Sequence, residues 1–531
     1  MPSLKAKEKV NIVWFKKDLR LKDHQPLFEA QKENIPTILL YIFEPILLQA
    51  PTSDIRHFRF IWQSLQNINS QLNCQNKTLT ICYGCASDVF EKINSTYQIH
   101  KVFSTQETGI DITFNRDREL KKWCAKNSIS WIEFQNGAII RGLKNRKTWS
   151  VNWETTMCSP INENNISEIN VLDANSDFSD VKNILSPEIF ENNSNFQPGG
   201  ETFGEKYLSS FLNTRFVNYS NGISKPIASR TSCSRLSPYL TYGNLSMKQV
   251  YQATVLTLRK TTNKRPLYNF ISRLHWHCHF IQKFESECRI EKDNFNTAYN
   301  QIRNEVNQEY FQAWKNGKTG FPLVDANMIC LKETGYINFR MRAMVVSFFT
   351  ANLFQPWQIA SKHLARMFLD FDPGIHYPQM QMQACTIGTN AMRIYNPTLN
   401  SKKHDADGLF IKKWLPQLAN FPTDLIHEPY LATIEQQQLF KCIIGVNYPM
   451  PMIDLKASSK FAKDQISSVL KTENAKLEIS RILTSHVKSK KRANDERNKK
   501  AKSSPKKLSV LQQTLFMEEE VGEKLDGSQI L

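Results

Sequence analysis

The sequence predicts two folded bodies of different class: an α/β domain over residues 1–135, built on a parallel five-stranded sheet with flanking helices, and an all-α domain over residues 201–456. Three observations carry this. At 531 residues the chain is too long for one small domain. Short apolar, β-branched runs alternate with helix-like segments in the first part, and apolar residues then recur every three or four positions with no strand series. Taken in order, residues 11–15, 37–43, 78–83, 101–104 and 130–134 read as strands, with helical spacing at 56–72 and 112–126 between them. Repeated β-α units of this kind form a parallel sheet covered on both faces. The first strand runs into Lys16-Lys17-Asp18-Leu19-Arg20 and not into a glycine fingerprint, so a nucleotide cradled at that turn is not expected. Residues 136–200 are rich in Asn, Ser and Asp and read as a connector. Beyond it, Leu267, Phe270, Ile271, Leu274, Cys278 and Ile281 mark one apolar helix face. Residues 457–531 turn polar and Lys-rich, and are expected to be a largely disordered tail with one short helix near 470–483.

Hydrophobic residues make up 41% of the chain, enough for a large core and too many for wholesale disorder. No apolar run reaches the roughly 18 residues of a membrane span, and no apolar leader opens the sequence, so no membrane partner is expected. Eleven scattered cysteines fit a reducing, cytoplasmic setting better than a disulfide framework. The formal net charge of +18 points to a polyanionic partner. Residues 488–507 hold ten basic side chains against Asp495 and Glu496, which leaves the remainder of the chain basic in its own right at +10. A merely well-solvated surface is the competing reading.

Six blocks sharpen this picture. Trp14-Phe15-Lys16-Lys17-Asp18-Leu19-Arg20, Ser234-Arg235-Leu236-Ser237-Pro238-Tyr239-Leu240, Trp314-Lys315-Asn316-Gly317-Lys318-Thr319-Gly320-Phe321-Pro322, Val324-Asp325-Ala326-Asn327-Met328, Arg393-Ile394-Tyr395-Asn396-Pro397 and Phe410-Ile411-Lys412-Lys413-Trp414-Leu415-Pro416 occur in that order. Together they resemble the photolyase/cryptochrome flavoproteins. The resemblance implies an N-terminal domain able to hold an antenna chromophore of folate or deazaflavin type, and a helical domain that holds FAD.

A flavin dinucleotide carries a pyrophosphate, which hydroxyls, backbone N–H groups and helix N-termini bind well. Ser232, Ser234, Arg235, Leu236 and Ser237 supply such groups, and Tyr219 lies where the family puts another FAD contact. A serine-rich helix cap is the plainer reading of the same residues. Asp370 and Asp372 match acidic positions beside the flavin, where a carboxylate tunes the ring; loop capping is the alternative. Arg342 and His376 also match positions near the flavin, His376 standing where the family carries an Asn.

On the helix through 265–284, Arg273, Trp276, His277 and Phe280 share another face at helical spacing. Trp276 matches a family tryptophan that stacks on a flipped-out lesion, although core filling is its bland reading. Arg273 replaces the Glu that bonds the thymine dimer, and His277 replaces an Arg. The flavin-proximal Trp of the family's electron-transfer chain is Met380 here, and a substrate-facing Trp is Met382, whereas the two outer positions persist as Trp357 and Trp314. A direct Trp-to-flavin hop is therefore in question. His275, His277 and His279, and Cys82 with Cys85, have metal-like spacing but lack further ligands, so no metal is expected. For the antenna, Glu107 is a weak candidate.

The resemblance implies a deoxyribodipyrimidine photolyase-like lyase that splits pyrimidine dimers in damaged DNA by blue-light electron transfer from reduced FAD. The alternative is a cryptochrome-type receptor that uses a flavin redox change without repair. A monomer is expected. Gln512-Gln513-Thr514-Leu515-Phe516 resembles the pentapeptide by which bacterial repair proteins bind the DNA sliding clamp, and a chance match competes with that reading.

Overall fold

The computed structural model describes residues 7–486. Five strands, β1 (Lys9–Phe15), β2 (Thr37–Phe43), β3 (Thr80–Tyr83), β4 (Gln98–Thr105) and β5 (Ser130–Phe134), form one parallel sheet in the order β3-β2-β1-β4-β5. Every residue of β2 is buried and β1 is buried after its first, as a sheet covered on both faces requires. Strand β4 extends beyond the expected 101–104. The order reverses between β1 and β4, where doubly wound sheets place their ligand crevice. In this chain the loop after β1 instead ties the two domains together. Leu19 donates its N–H to Tyr242 O at 3.0 Å, Arg20 Nη1 donates to Gly243 O at 2.9 Å, and Asn244 Nδ2 donates to Leu19 O at 2.8 Å. Gly243 sits at φ +69°, and a Cβ there would lie 2.2 Å from Lys17 O, so only glycine allows this approach.

Helices make up the rest, centred on the 22-residue Arg265–Ser286 helix, which packs along the Pro373–Gln383 helix. The connector is more ordered than its composition implies. Its Trp149–Cys158 helix buries Trp149, Trp153 and Met157, and both indoles pack edge-on against His275 at 5.0 and 5.1 Å. The body also runs past the expected limit at 456. The Glu473–His486 helix is the short one expected near 470–483, and an unexpected helix, Leu455–Leu470, precedes it. They stay because Ala462, Ile466, Ala475 and Ile482 are buried, and because Glu287 accepts bonds from Arg481 at 3.0 Å and His486 at 2.7 Å. The basic run 488–507 and the Gln512–Phe516 pentapeptide lie outside the described residues. Among the described residues no helix is long and apolar enough to cross a membrane.

Candidate active site

The serine-rich block lies between two short helices, Ser229–Ser232 and Ser237–Thr241. Ser232 turns its hydroxyl back to Ala228 O at 2.8 Å, whereas Ser234 offers its carbonyl to Arg215 at 3.2 Å. Leu236 is buried and caps the second helix. Arg235 is engaged within the protein. At φ +58° its guanidinium lies 3.6 Å from the Tyr336 ring centroid and donates to Gln197 Oε1 at 2.7 Å, and Gln197 returns a bond to Arg235 O at 2.9 Å. Tyr219 is buried edge-on to Phe211 and Phe270, at 5.6 and 5.8 Å.

The carboxylates meet this block from the far side. Arg342 Nη2 donates to Asp370 Oδ2 at 2.9 Å, and its Nε to Ile337 O at 2.9 Å. Burial pushes the Asp370 carboxyl up, but the Arg342 charge and hydrogen bond, with the Ser237 hydroxyl, hold it below the ordinary carboxylate range. Asp372 caps the Pro373–Gln383 helix by accepting the Gly374 N–H at 2.8 Å. One turn later His376 sets Nε2 within 3.0 Å of both Ser361 O and Oγ, and burial lowers it to about 4. It is therefore neutral at pH 7, and Nε2–H donation to the Ser361 carbonyl leaves Nδ1 as an acceptor. Burial also lowers His277, against the opposing pull of Asp372 and Asp370.

Two family models match this architecture, "DNA photolyase" over residues 11–144 and "FAD binding domain of DNA photolyase" over 270–468. The chain belongs to the photolyase/cryptochrome family. It is similar to the deoxyribodipyrimidine photo-lyase of Alkalihalophilus pseudofirmus, at 25% identity over 86% of this chain and 97% of that protein. It is also similar to cryptochrome-2 of Gallus gallus, at 24% identity over 86% of this chain and 83% of that one. Among solved structures, a bacterial class III photolyase from Agrobacterium tumefaciens superposes with a TM-score of 0.77 at 23% identity, over 89% of this chain and all of that one. An archaeal photolyase from Sulfolobus tokodaii, described with two FAD molecules and a novel light-harvesting cofactor, gives 0.72 at 24% identity, over 86% and all of the two chains.

The helical domain of this photolyase/cryptochrome member is thus the family's FAD-binding domain, and its own residues fit that group. Asp370 Oδ1, His277 Nδ1, Asn338 Oδ1 and Gln379 Oε1 are buried with no hydrogen-bond partner among the described residues. Such atoms are costly unless something satisfies them, and a flavin edge with its ribose offers both donors and acceptors. Asn338, Gln379, Tyr336 and Gln197 were not legible in the sequence. Only their neighbours in the blocks marked the region.

The expected outer face of the Arg265–Ser286 helix divides. Arg273 and Trp276 are exposed, Trp276 at 37%, with Phe280 5.7 Å from its ring. Trp276 therefore does not fill the core. His277 Nδ1 is buried with no hydrogen-bond partner among the described residues, and the charges of Asp372 and Asp370 act on the ring. Met382 is half-buried and Met380 is 3% exposed.

The relay tryptophans are both inside. Trp357 donates Nε1–H to Asn294 Oδ1 at 2.7 Å and meets Tyr377 edge-on at 6.4 Å. Trp314, the outermost position expected, is fully buried against Phe349 at 4.5 Å and His363 at 5.8 Å, and bonds Val345 O at 3.0 Å. Tyr377, one residue beyond His376, was not expected; it places an aromatic ring between that histidine and Trp357. In the α/β domain Glu107 is engaged, accepting from Arg116 at 2.7 Å while Arg116 also bonds Glu44 at 2.6 Å. His275 and His279 both pack on Trp149, and Cys82 is a buried thiol that burial raises to about 12. Among the described residues no group of three or more His, Cys, Asp or Glu is arranged for a metal ion.

Proposed function

We propose that the chain is a light-driven DNA-repair flavoenzyme that splits UV-induced pyrimidine dimers. One observation carries the reading: a single helix presents an exposed ring, Trp276, next to His277, whose buried, unbonded Nδ1 lies on a ring that the Asp372 and Asp370 charges influence. Substrate platform and cofactor cradle are thus one residue apart. FAD, reduced and excited by blue light, supplies the electron donor. The chain's residues do the remaining work. Trp276 stacks on a base turned out of the duplex, an interaction of about 1–3 kcal/mol. Arg342 and Ser237 fix Asp370 as a carboxylate beside the ring, while neutral His376 offers an acceptor there. The basic surface holds phosphates, so affinity falls as salt rises.

A receptor reading is favoured by Met380 and Arg273, which replace the family's inner electron donor and its dimer-bonding Glu. The experiment is to record the flavin spectrum of the purified protein and to assay cyclobutane and (6-4) lesions separately under blue light. Lesion loss supports repair, and a flavin photocycle without loss supports the receptor. In the same reading the Gln512–Phe516 peptide docks on the DNA sliding clamp. A clamp pull-down that the Leu515→Ala/Phe516→Ala variant does not weaken removes that partner.

A further inference from the structure

Beside Trp357 the surface opens into a recess of about 150 Å³, lined by Arg303, Asn294, Asn300, Asn304, Lys292 and Trp357 among others. Arg303 is the unusual member. Its side chain is buried, and Nη1 donates to Ala384 O at 2.7 Å. The Nε and Nη2 donors are buried with no partner among the described residues. A guanidinium out of water without a counter-charge is unfavourable, and burial lowers this one to about 10. The backbone shares the burden, since Arg303 sits at φ +61°, a region non-glycine residues seldom occupy. The Phe354 ring, 5.0 Å from the guanidinium carbon, offsets part of this cost but accepts neither N–H in a hydrogen bond. A buried cation with two unbonded donors, held on a strained backbone at the wall of a recess, has the make-up of an anion site.

We infer that this recess binds a phosphate group, and that its occupancy is felt at Trp357. The Nε/Nη2 fork of Arg303 suits a carboxylate or a phosphate alike, and the further amide donors at the rim favour a tetrahedral oxyanion, which keeps oxygens free for them. The amides of Asn300 and Asn304 add donors on the open side, where Lys292, its ammonium held by Asp111 at 2.8 Å, contributes charge and not a free donor. The volume takes a phosphate and a few waters, each water filling about 30 Å³. Asp293 lies on the same rim and opposes an anion, but it is exposed and screened, whereas the Arg303 charge is not. The link to the indole is a chain of hydrogen bonds: Trp357 Nε1 donates to Asn294 Oδ1 at 2.7 Å, and Asn294 Nδ2 donates to Asn300 Oδ1 at 2.7 Å. An anion that accepts from Asn300 polarises the whole chain and strengthens the bond at Trp357.

The test is titration of the full-length, flavin-loaded protein with inorganic phosphate at constant ionic strength, chloride being the balancing anion. Heat of binding and the near-ultraviolet circular dichroism of the indoles are followed together. Wild type is expected to bind, with a dichroism change that Trp357→Phe abolishes. Arg303→Gln and the exposed-rim variant Asn304→Asp are each expected to weaken binding about tenfold or more, the size of a lost charge-assisted hydrogen bond. Asn304→Asp decides the matter alone if Arg303→Gln does not fold. Equal affinity in a folded variant would put the phosphate elsewhere on the basic surface and overturn the site. So would the absence of wild-type binding up to about 20 mM, a concentration that fills any site of millimolar affinity.

Discussion

Replacing His376 with Asn removes a buried proton site, and the linkage between protonation and folding makes the effect calculable. In the folded chain burial lowers His376 to about 4 from the ordinary 6.5. The folded-state value is the lower of the two, so this histidine costs nothing well above pH 6.5. It destabilises progressively as pH falls from 6.5 towards 4, and below 4 its cost is constant. Between pH 7 and pH 5 the unfolded chain takes up nearly one proton that the folded chain refuses. At about 1.4 kcal/mol per pH unit of uptake, the loss comes to about 2 kcal/mol. His57, His363 and His404, lowered in the same way, remain in both proteins and cancel from the difference. Urea unfolding of wild type and His376→Asn at pH 7 and pH 5, at equal flavin loading, reads the difference directly. The variant should lose about 2 kcal/mol less than wild type over that interval. Equal losses would mean that His376 is charged or solvated in the folded state. The neutral acceptor assigned to it beside the flavin would then be wrong.

Other substitutions probe the remaining parts of the site. Arg342→Met strands the buried Asp370 carboxylate, a change that costs about 3–5 kcal/mol when one partner of a buried pair is removed; it should lower the flavin-to-protein ratio after gel filtration, and full flavin content would contradict the role given to this pair. Trp276→Ala should weaken binding to lesion-containing DNA by about 1–3 kcal/mol while leaving the salt dependence unchanged, because the ring contributes stacking and no charge. Met380→Trp should speed light-driven flavin reduction if Trp357 feeds the inner position, at a packing cost of about 1–3 kcal/mol in this buried setting; rates that Trp357→Phe leaves unchanged would place the electron path elsewhere.

Much of the fold was legible because its determinants are local. The β2 segment is almost wholly apolar and β1 is apolar from Ile12 onwards, runs that suit a doubly covered sheet, and the 22-residue helix carries a full apolar face. The Trp149–Cys158 helix was missed because its stripe is three large side chains in an Asn-rich stretch, stabilised by His275 more than 100 positions later. The Glu473–His486 helix was expected near 470–483, whereas the Leu455–Leu470 helix before it was missed for a related reason. Burial on the pair is sparse, and Glu287, which anchors its second member, lies far back in the chain. The site residues were legible by type and not by partner. Gln197 and Tyr336, which engage Arg235, and Phe349 and Val345, which enclose Trp314, are partners that the sequence did not point to. Asp372 caps a helix, the plainer of the two readings its position allowed.

The central claim, light-driven repair, is tested most directly by one measurement. An oligonucleotide carrying a single cyclobutane or (6-4) lesion is incubated anaerobically with the flavin-reduced protein, in blue light and in the dark, and intact pyrimidines are counted. The account predicts multiple-turnover loss of one lesion type in light and none in the dark. Full lesion retention in light, by a protein whose flavin is bound and demonstrably reduced, would contradict it.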